Sequence, residues 1–294
     1  MKNNFLIGLA LTLFALLTPS SLWAKKTVLT GIDVLTQQQF KCLQGKRVGL
    51  ITNPTGVNAQ LVSTVDVLKA APGVNLVALY GPEHGVRGDI HAGDKVETAR
   101  DAKTGLPVFS LYGKTRKPTP EMLKDVDVLV YDIQDIGCRS FTFISTMGLA
   151  MEAAAENNKE FVVLDRPNPL GGLKIEGNIT DDDCISFVSQ FKIPYIYGLT
   201  CGELARMLND EGMLTGGVKC KLTVVKMKNW KRSMGYADRS AMDCLVATYS
   251  PSCNRLLLPH QWHSGRTGLS IYWRGLHHPF PNVCSALDRC RATC

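Results

Sequence analysis

The 294 residues are 45% hydrophobic and 20% charged, with 26 Gly and 14 Pro. That composition excludes a disordered, collagen-like or multi-span membrane chain, and the length suits one large domain or two modest ones. The formal charge of +7 is uneven: from Cys244 onward there are five Arg, one acid and no Lys, so the body is near neutral and does not read as a nucleic-acid binder.

At the start, Lys2 precedes an apolar run at 5–17, then Thr18-Pro19 and Ser21-Leu22-Trp23-Ala24. The run is shorter than the ~20 residues a bilayer span needs. A charged start, a short apolar middle and a small residue at Ala24 read as a secretory signal over 1–24. The expected mature chain is soluble and secreted or periplasmic, without a membrane anchor.

The next elements alternate. Residues 47–53 form a short apolar run ending in Asn53-Pro54, and a helical pattern follows at 63–71. Further strands are predicted at 74–80, 106–112, 126–133 and 161–164, with Met and Ala at helical spacing over 142–157. Near-continuous apolar strands separated by helices indicate a parallel sheet covered on both faces. The expectation is an α/β fold: a Rossmann-like, mostly parallel sheet over 25–177. It lacks a G-x-G-x-x-G turn, a P-loop and a G-x-S-x-G elbow.

A smaller α+β C-terminal domain is expected over 178–243. Thr200-Cys201-Gly202-Glu203 has capping-box spacing and opens a helix that stops at Gly212. Residues 221–230 alternate like a strand. Beyond them, 244–294 is anomalous: acids and Lys nearly vanish while Arg, Cys, His and Trp rise. Its His260, His263, His277 and His278 match no zinc spacing, and the tail reads as altered or out of frame. Cys42, Cys138, Cys184, Cys201 and Cys220 are scattered without a C-x-x-C pair and read mostly as small buried hydrophobes.

In open parallel sheets, ligands sit beyond the carboxyl ends of the strands. Polar residues gather at those ends: Asn53, then Glu83-His84, Gln134-Asp135 and Asp165-Arg166-Pro167-Asn168-Pro169, with Arg139 close behind. Strands lie about 4.8 Å apart, so carboxylates one or two strands away fall roughly 5–10 Å apart, covering both glycosidase geometries. Each residue also has a plainer role. Glu83 could be a solvated turn acid, Asp135 a helix cap, and Asp165 with Arg166 an ion pair bracing the loop. Glu176 could be a turn residue or a second catalytic carboxylate, and Glu203 is most simply the capping-box acid.

Tyr80-Gly81-Pro82-Glu83-His84-Gly85, Tyr131-Asp132-Ile133-Gln134-Asp135-Ile136-Gly137-Cys138-Arg139 and Leu164-Asp165-Arg166-Pro167-Asn168-Pro169 occur in this order. Thr52-Asn53-Pro54-Thr55-Gly56 lies upstream and Ile175-Glu176-Gly177-Asn178 downstream. In this combination the chain, over about 29–243, resembles the exo-β-N-acetylmuramidase family (the NamZ type, long catalogued as a domain of unknown function). The resemblance implies a Rossmann-like domain plus a smaller C-terminal domain with the active site between them. It implies release of N-acetylmuramic acid from the non-reducing end of peptidoglycan fragments, with muramyl saccharides as partners and no cofactor or metal. It carries the catalytic acid to Glu83, with Asp135, Glu176 or the substrate's own acetamido oxygen left open as the second group. Asn53, His84, Gln134, Arg139, Asp165, Arg166 and Asn168 become expected substrate-binding residues. Arg139 or Arg166 could clamp the lactyl carboxylate bidentately. The rival reading is a periplasmic binding protein for a small anionic sugar, using the same cleft without turnover.

Overall fold

The computed structural model describes residues 27–83, 85–88 and 99–235. The expected signal segment, His84 and the tail lie outside the described residues.

Among the described residues, seven strands form one sheet in the order β3-β4-β2-β1-β5-β6-β7. They are β1 (Arg47–Thr52), β2 (Asn75–Gly81), β3 (Ala99–Arg100), β4 (Pro107–Ser110), β5 (Val128–Asp132), β6 (Glu160–Leu164) and β7 (Lys221–Val225). β3 pairs antiparallel with β4 and all other pairings are parallel. The helices are α1 (Gly31–Gln37), α2 (Thr64–Ala70), α3 (Phe143–Glu156) and α4 (Cys201–Asp210).

The central strands are apolar throughout because both their faces are covered. Along β5, Val128 and Val130 join a core with α1 and α2, including Ile32, Leu35, Val65 and Leu68. Leu129 and Tyr131 point the other way, into a core with Met147, Met151, Leu204 and Leu208 of α3 and α4. The period of two along a strand thus builds a three-layer α/β/α sandwich. Within α3, Gly148 admits the ring of Phe191, because a Cβ there would lie 2.3 Å from its Cζ. That contact holds the irregular segment before α4 against the helix.

The Rossmann-like sheet is present, but the expected domain boundary at 177/178 is corrected. β7 pairs with β6 from Glu160↔Lys221 to Leu164↔Val225, and α4 packs on both strands. Residues 201–225 therefore complete the same sheet as a helix-and-strand crossover. Helix α1 was not predicted. It packs on β6 and β7, and Leu29 exchanges both backbone hydrogen bonds with Lys228 at 3.0 Å. Three of the scattered cysteines (Cys138, Cys201 and Cys220) are buried as expected, whereas Cys42 and Cys184 are only half-buried.

Candidate functional site

Because six strands run parallel, their carboxyl ends share one edge. The strand order reverses between β1 and β5, the point where doubly wound sheets hold ligands. Here that crevice is filled by the protein's own side chains. Arg166 Nε donates to Asp132 Oδ1 at 2.6 Å, and its Nη2 donates to Asp132 Oδ2 at 2.9 Å and to the Val57 carbonyl at 2.8 Å. Thr64 also donates its hydroxyl to Asp132. Arg166 is 2% exposed and Asp132 fully buried.

The expected Asp165–Arg166 pair is therefore corrected. Successive side chains of an extended segment point to opposite sides, so Arg166 turns to Asp132 while Asp165 turns toward α4. Asp165 accepts from the Gly202 amide at 2.8 Å and the Thr200 hydroxyl at 3.0 Å. Burial nonetheless pushes its carboxyl up to about 6. The capping box predicted at Thr200 and Glu203 is present, with Glu203 N–H on Thr200 Oγ1 at 3.2 Å and Thr200 N–H on Glu203 Oε2 at 3.0 Å.

Most of the other rim residues serve the framework rather than an open cleft. Asn53 Oδ1 accepts from the Thr55 amide and hydroxyl. Gln134 Nε2 donates to the carbonyls of Asp135 and Pro167 at 2.7 Å each. Asn168 bonds the Leu199 carbonyl and the Leu170 amide, and Gly137 (φ +78°) approaches it so closely that a Cβ would meet Asn168 Oδ1 at 2.4 Å. Arg139 Nη1 donates to the carbonyls of Asn178 and Ile193 at 2.5 Å, and its guanidinium lies 5.8 Å from the centre of the Tyr195 ring. Asn53, Gln134, Arg139, Asp165, Arg166 and Asn168 thus each bond to other groups of the protein, while Arg139 Nε is buried without a partner among the described residues.

Asp135 is sealed as well. Tyr197 donates its hydroxyl and Gly137 its amide to Oδ2, while Oδ1 is buried without a partner among the described residues. Burial pushes this carboxyl up to about 6. Glu176 departs from the expectation in the opposite sense. Its backbone pairs with Ile196, but its carboxylate is 57% exposed and faces Lys174 at 3.3 Å.

Glu83 differs from all of these. It follows β2 at the carboxyl edge, on the turn in which the Gly85 amide bonds the Pro82 carbonyl at 3.0 Å, and it is half-buried. Tyr112 donates its hydroxyl to Oε1 at 3.1 Å, and Thr142 donates to Oε2 at 3.2 Å. Neither partner was singled out from sequence. Tyr112 ended a predicted strand and Thr142 began a predicted helix, positions that carry no chemical signal by themselves.

The fold and this edge define a doubly wound α/β domain whose acidic side chains collect beyond the parallel strands. Residues 48–255 match the family described as "Exo-beta-N-acetylmuramidase NamZ, N-terminal", and the chain belongs to that family. It is 57% identical over 214 residues to the peptidoglycan beta-N-acetylmuramidase NamZ of Bacillus subtilis (strain 168), covering 73% of this chain and 51% of that protein. A crystal structure of a DUF1343 family protein from Bacteroides fragilis NCTC 9343 is 70% identical with a TM-score of 0.71, over 77% of this chain and 56% of that one. A second DUF1343 protein of the same strain is 36% identical with a TM-score of 0.63, over 72% and 55%. The chain spans about half the length of these relatives.

Proposed function

We propose that this chain carries the acid-bearing domain of an exo-acting β-N-acetylmuramidase. The reaction removes terminal N-acetylmuramic acid from peptidoglycan fragments in cell-wall turnover. Family membership supports the reaction class. The observation that selects the acid is how the four candidate carboxylates are held. Asp135 is buried, Asp165 is buried at the wall of a cavity beside α4, Glu176 stands in solvent, and Glu83 alone of the four is both half-buried and held at each oxygen by a rotatable hydroxyl.

A general acid must reach the leaving oxygen and be oriented toward it. Glu83 gives its proton to the glycosidic oxygen as the bond from C1 to that oxygen breaks. A water oxygen bonds to C1 and releases a proton, so the net change is the addition of one water to the sugar link. The 1–24 segment supports export, and among the described residues no helix is long and apolar enough to cross a membrane.

The test is turnover of a chromogenic β-N-acetylmuramide by the 294-residue chain. Glu83→Gln is expected to lower kcat by about 10²–10⁴-fold with its melting curve unchanged. Turnover near that of the parent removes Glu83 from the mechanism. Saturable binding of N-acetylmuramic acid with no turnover by the parent chain replaces the enzyme with a binding protein.

A further inference from the structure

We infer that Tyr112 and Thr142 are positioning residues for Glu83: their hydroxyls, one on each carboxyl oxygen, fix the plane in which the acid presents its proton. The inference rests on the reading of Glu83 as the acid and adds the groups that aim it.

One of these hydroxyls comes from the start of α3. A threonine at a helix N-cap normally turns its hydroxyl back onto the helix, accepting an orphan amide of the first turn. Thr200 does so at the start of α4. Thr142 occupies the same position before α3, but its side chain makes no capping bond, and its backbone is helical (φ −67°, ψ −11°) rather than extended. Its hydroxyl instead reaches across the fold to Glu83 Oε2. The first turn of a 14-residue helix forgoes its cap, and the carboxyl at the end of β2 gains a donor.

Tyr112 is held from behind with equal care. Ser110, the last residue of β4, donates its hydroxyl to the Tyr112 carbonyl at 2.9 Å and accepts the Tyr112 amide at 3.2 Å. The β2–β4 pairing is extended by the Leu111 amide on the Gly81 carbonyl at 2.8 Å. The Tyr112 backbone is therefore clamped beside the turn that carries Glu83, and the phenol is directed at Oε1. Burial, with the nearby Glu83 charge, pushes the Tyr112 hydroxyl up to about 12, so it keeps its proton through the working pH range. Arg116, in the loop after β4, is the cation acting on Tyr112, and its guanidinium stacks 4.5 Å from the Phe187 ring centre.

This arrangement suits an acid that cycles. When Glu83 has given up its proton, both hydroxyls donate to the resulting anion. When it regains the proton, either hydroxyl rotates to accept. The carboxyl plane is held in both states.

The test compares Tyr112→Phe, Thr142→Ala and Thr142→Ser in the full chain, all retaining His84, which follows Glu83 in sequence. Tyr112→Phe and Thr142→Ala are expected to lower kcat about 10–100-fold with KM little changed, the scale of a misaimed catalytic group. Thr142→Ser, which keeps a hydroxyl, is expected to restore kcat. An unchanged kcat in both Tyr112→Phe and Thr142→Ala, a rise in KM in place of a fall in kcat, or Thr142→Ser as impaired as Thr142→Ala, overturns the positioning role. The failures are separable: activity in Glu83→Gln sinks the acid assignment itself, whereas an inactive Glu83→Gln beside unaltered Tyr112→Phe and Thr142→Ala sinks only the positioning.

Discussion

At the middle of the sheet's carboxyl edge, Asp132 and Arg166 meet in a buried bidentate pair, with Asp135 and Asp165 also buried nearby. At the end of β2 on the same edge, Glu83 touches two neutral hydroxyls and remains half-exposed. Both regions are built from acidic residues at strand ends, yet their surroundings assign them different work. Hydroxyls touch carboxylates in both regions, since Thr64, Tyr197 and Thr200 donate to Asp132, Asp135 and Asp165, so the difference lies in access. The buried carboxylates anchor the loops around them, whereas Glu83, half-buried with a hydroxyl on each oxygen, can be reached from outside.

The largest expected effect would break the anchor. Arg166→Ala leaves Asp132 as a buried unpaired charge, and the expected loss of stability in denaturant unfolding is about 3–5 kcal/mol. The paired replacement Asp132→Leu with Arg166→Met should recover much of that, whereas Glu83→Gln should leave the midpoint nearly unmoved. An Arg166→Ala midpoint equal to the parent's would mean that the centre is not the anchor it is taken to be.

Asp135 sharpens the contrast through pH. Its carboxyl is raised from the ordinary range to about 6 by burial. The folded chain therefore holds this proton more tightly than the unfolded one. The stabilising contribution is complete below about pH 4 and is lost as pH rises through 6. For this group alone the change is on the order of 2–3 kcal/mol. Relative to the parent, Asp135→Asn should gain stability between pH 4 and pH 7. Parallel melting-temperature curves for the two proteins across that interval would refute the burial argument.

The smallest effect separates the two N-cap threonines. Thr200→Ala removes a working cap and a donor to Asp165 and should cost about 1 kcal/mol or somewhat more. Thr142→Ala removes no cap and should stay within about 0.5 kcal/mol of the parent. Equal losses in chemical unfolding would show that Thr142 serves its helix after all.

Much of the fold was legible because strands buried on both faces appear as apolar runs, as in 126–133 and 161–164. The second unit was misjudged for a physical reason. β7 is an edge strand whose residues alternate in exposure, so it reads as a separate, half-covered element rather than a continuation of the sheet. Helix α1 is only seven residues long, too short for a periodic pattern to stand out. At the site, strand topology indicated which side chains gather at the edge but not which way each one turns. Asp165 and Arg166 are neighbours in sequence and part company in space. Asp132, inside a quoted motif, was overlooked because its partner lies 34 residues away. Tyr112 and Thr142 were hidden in segments whose apolar and helical patterns accounted for them fully.

The seam between Leu29 and Lys228 carries a last consequence. Beyond Lys228 the described chain runs on to the loop after β6, where the Gly172 amide bonds the Arg232 carbonyl at 2.7 Å and Arg232 reaches Glu203. The seam lies four strands from β2, roughly 19 Å at about 4.8 Å per strand. A substitution in it should therefore loosen the joint between the two ends of the described chain and leave Glu83 undisturbed.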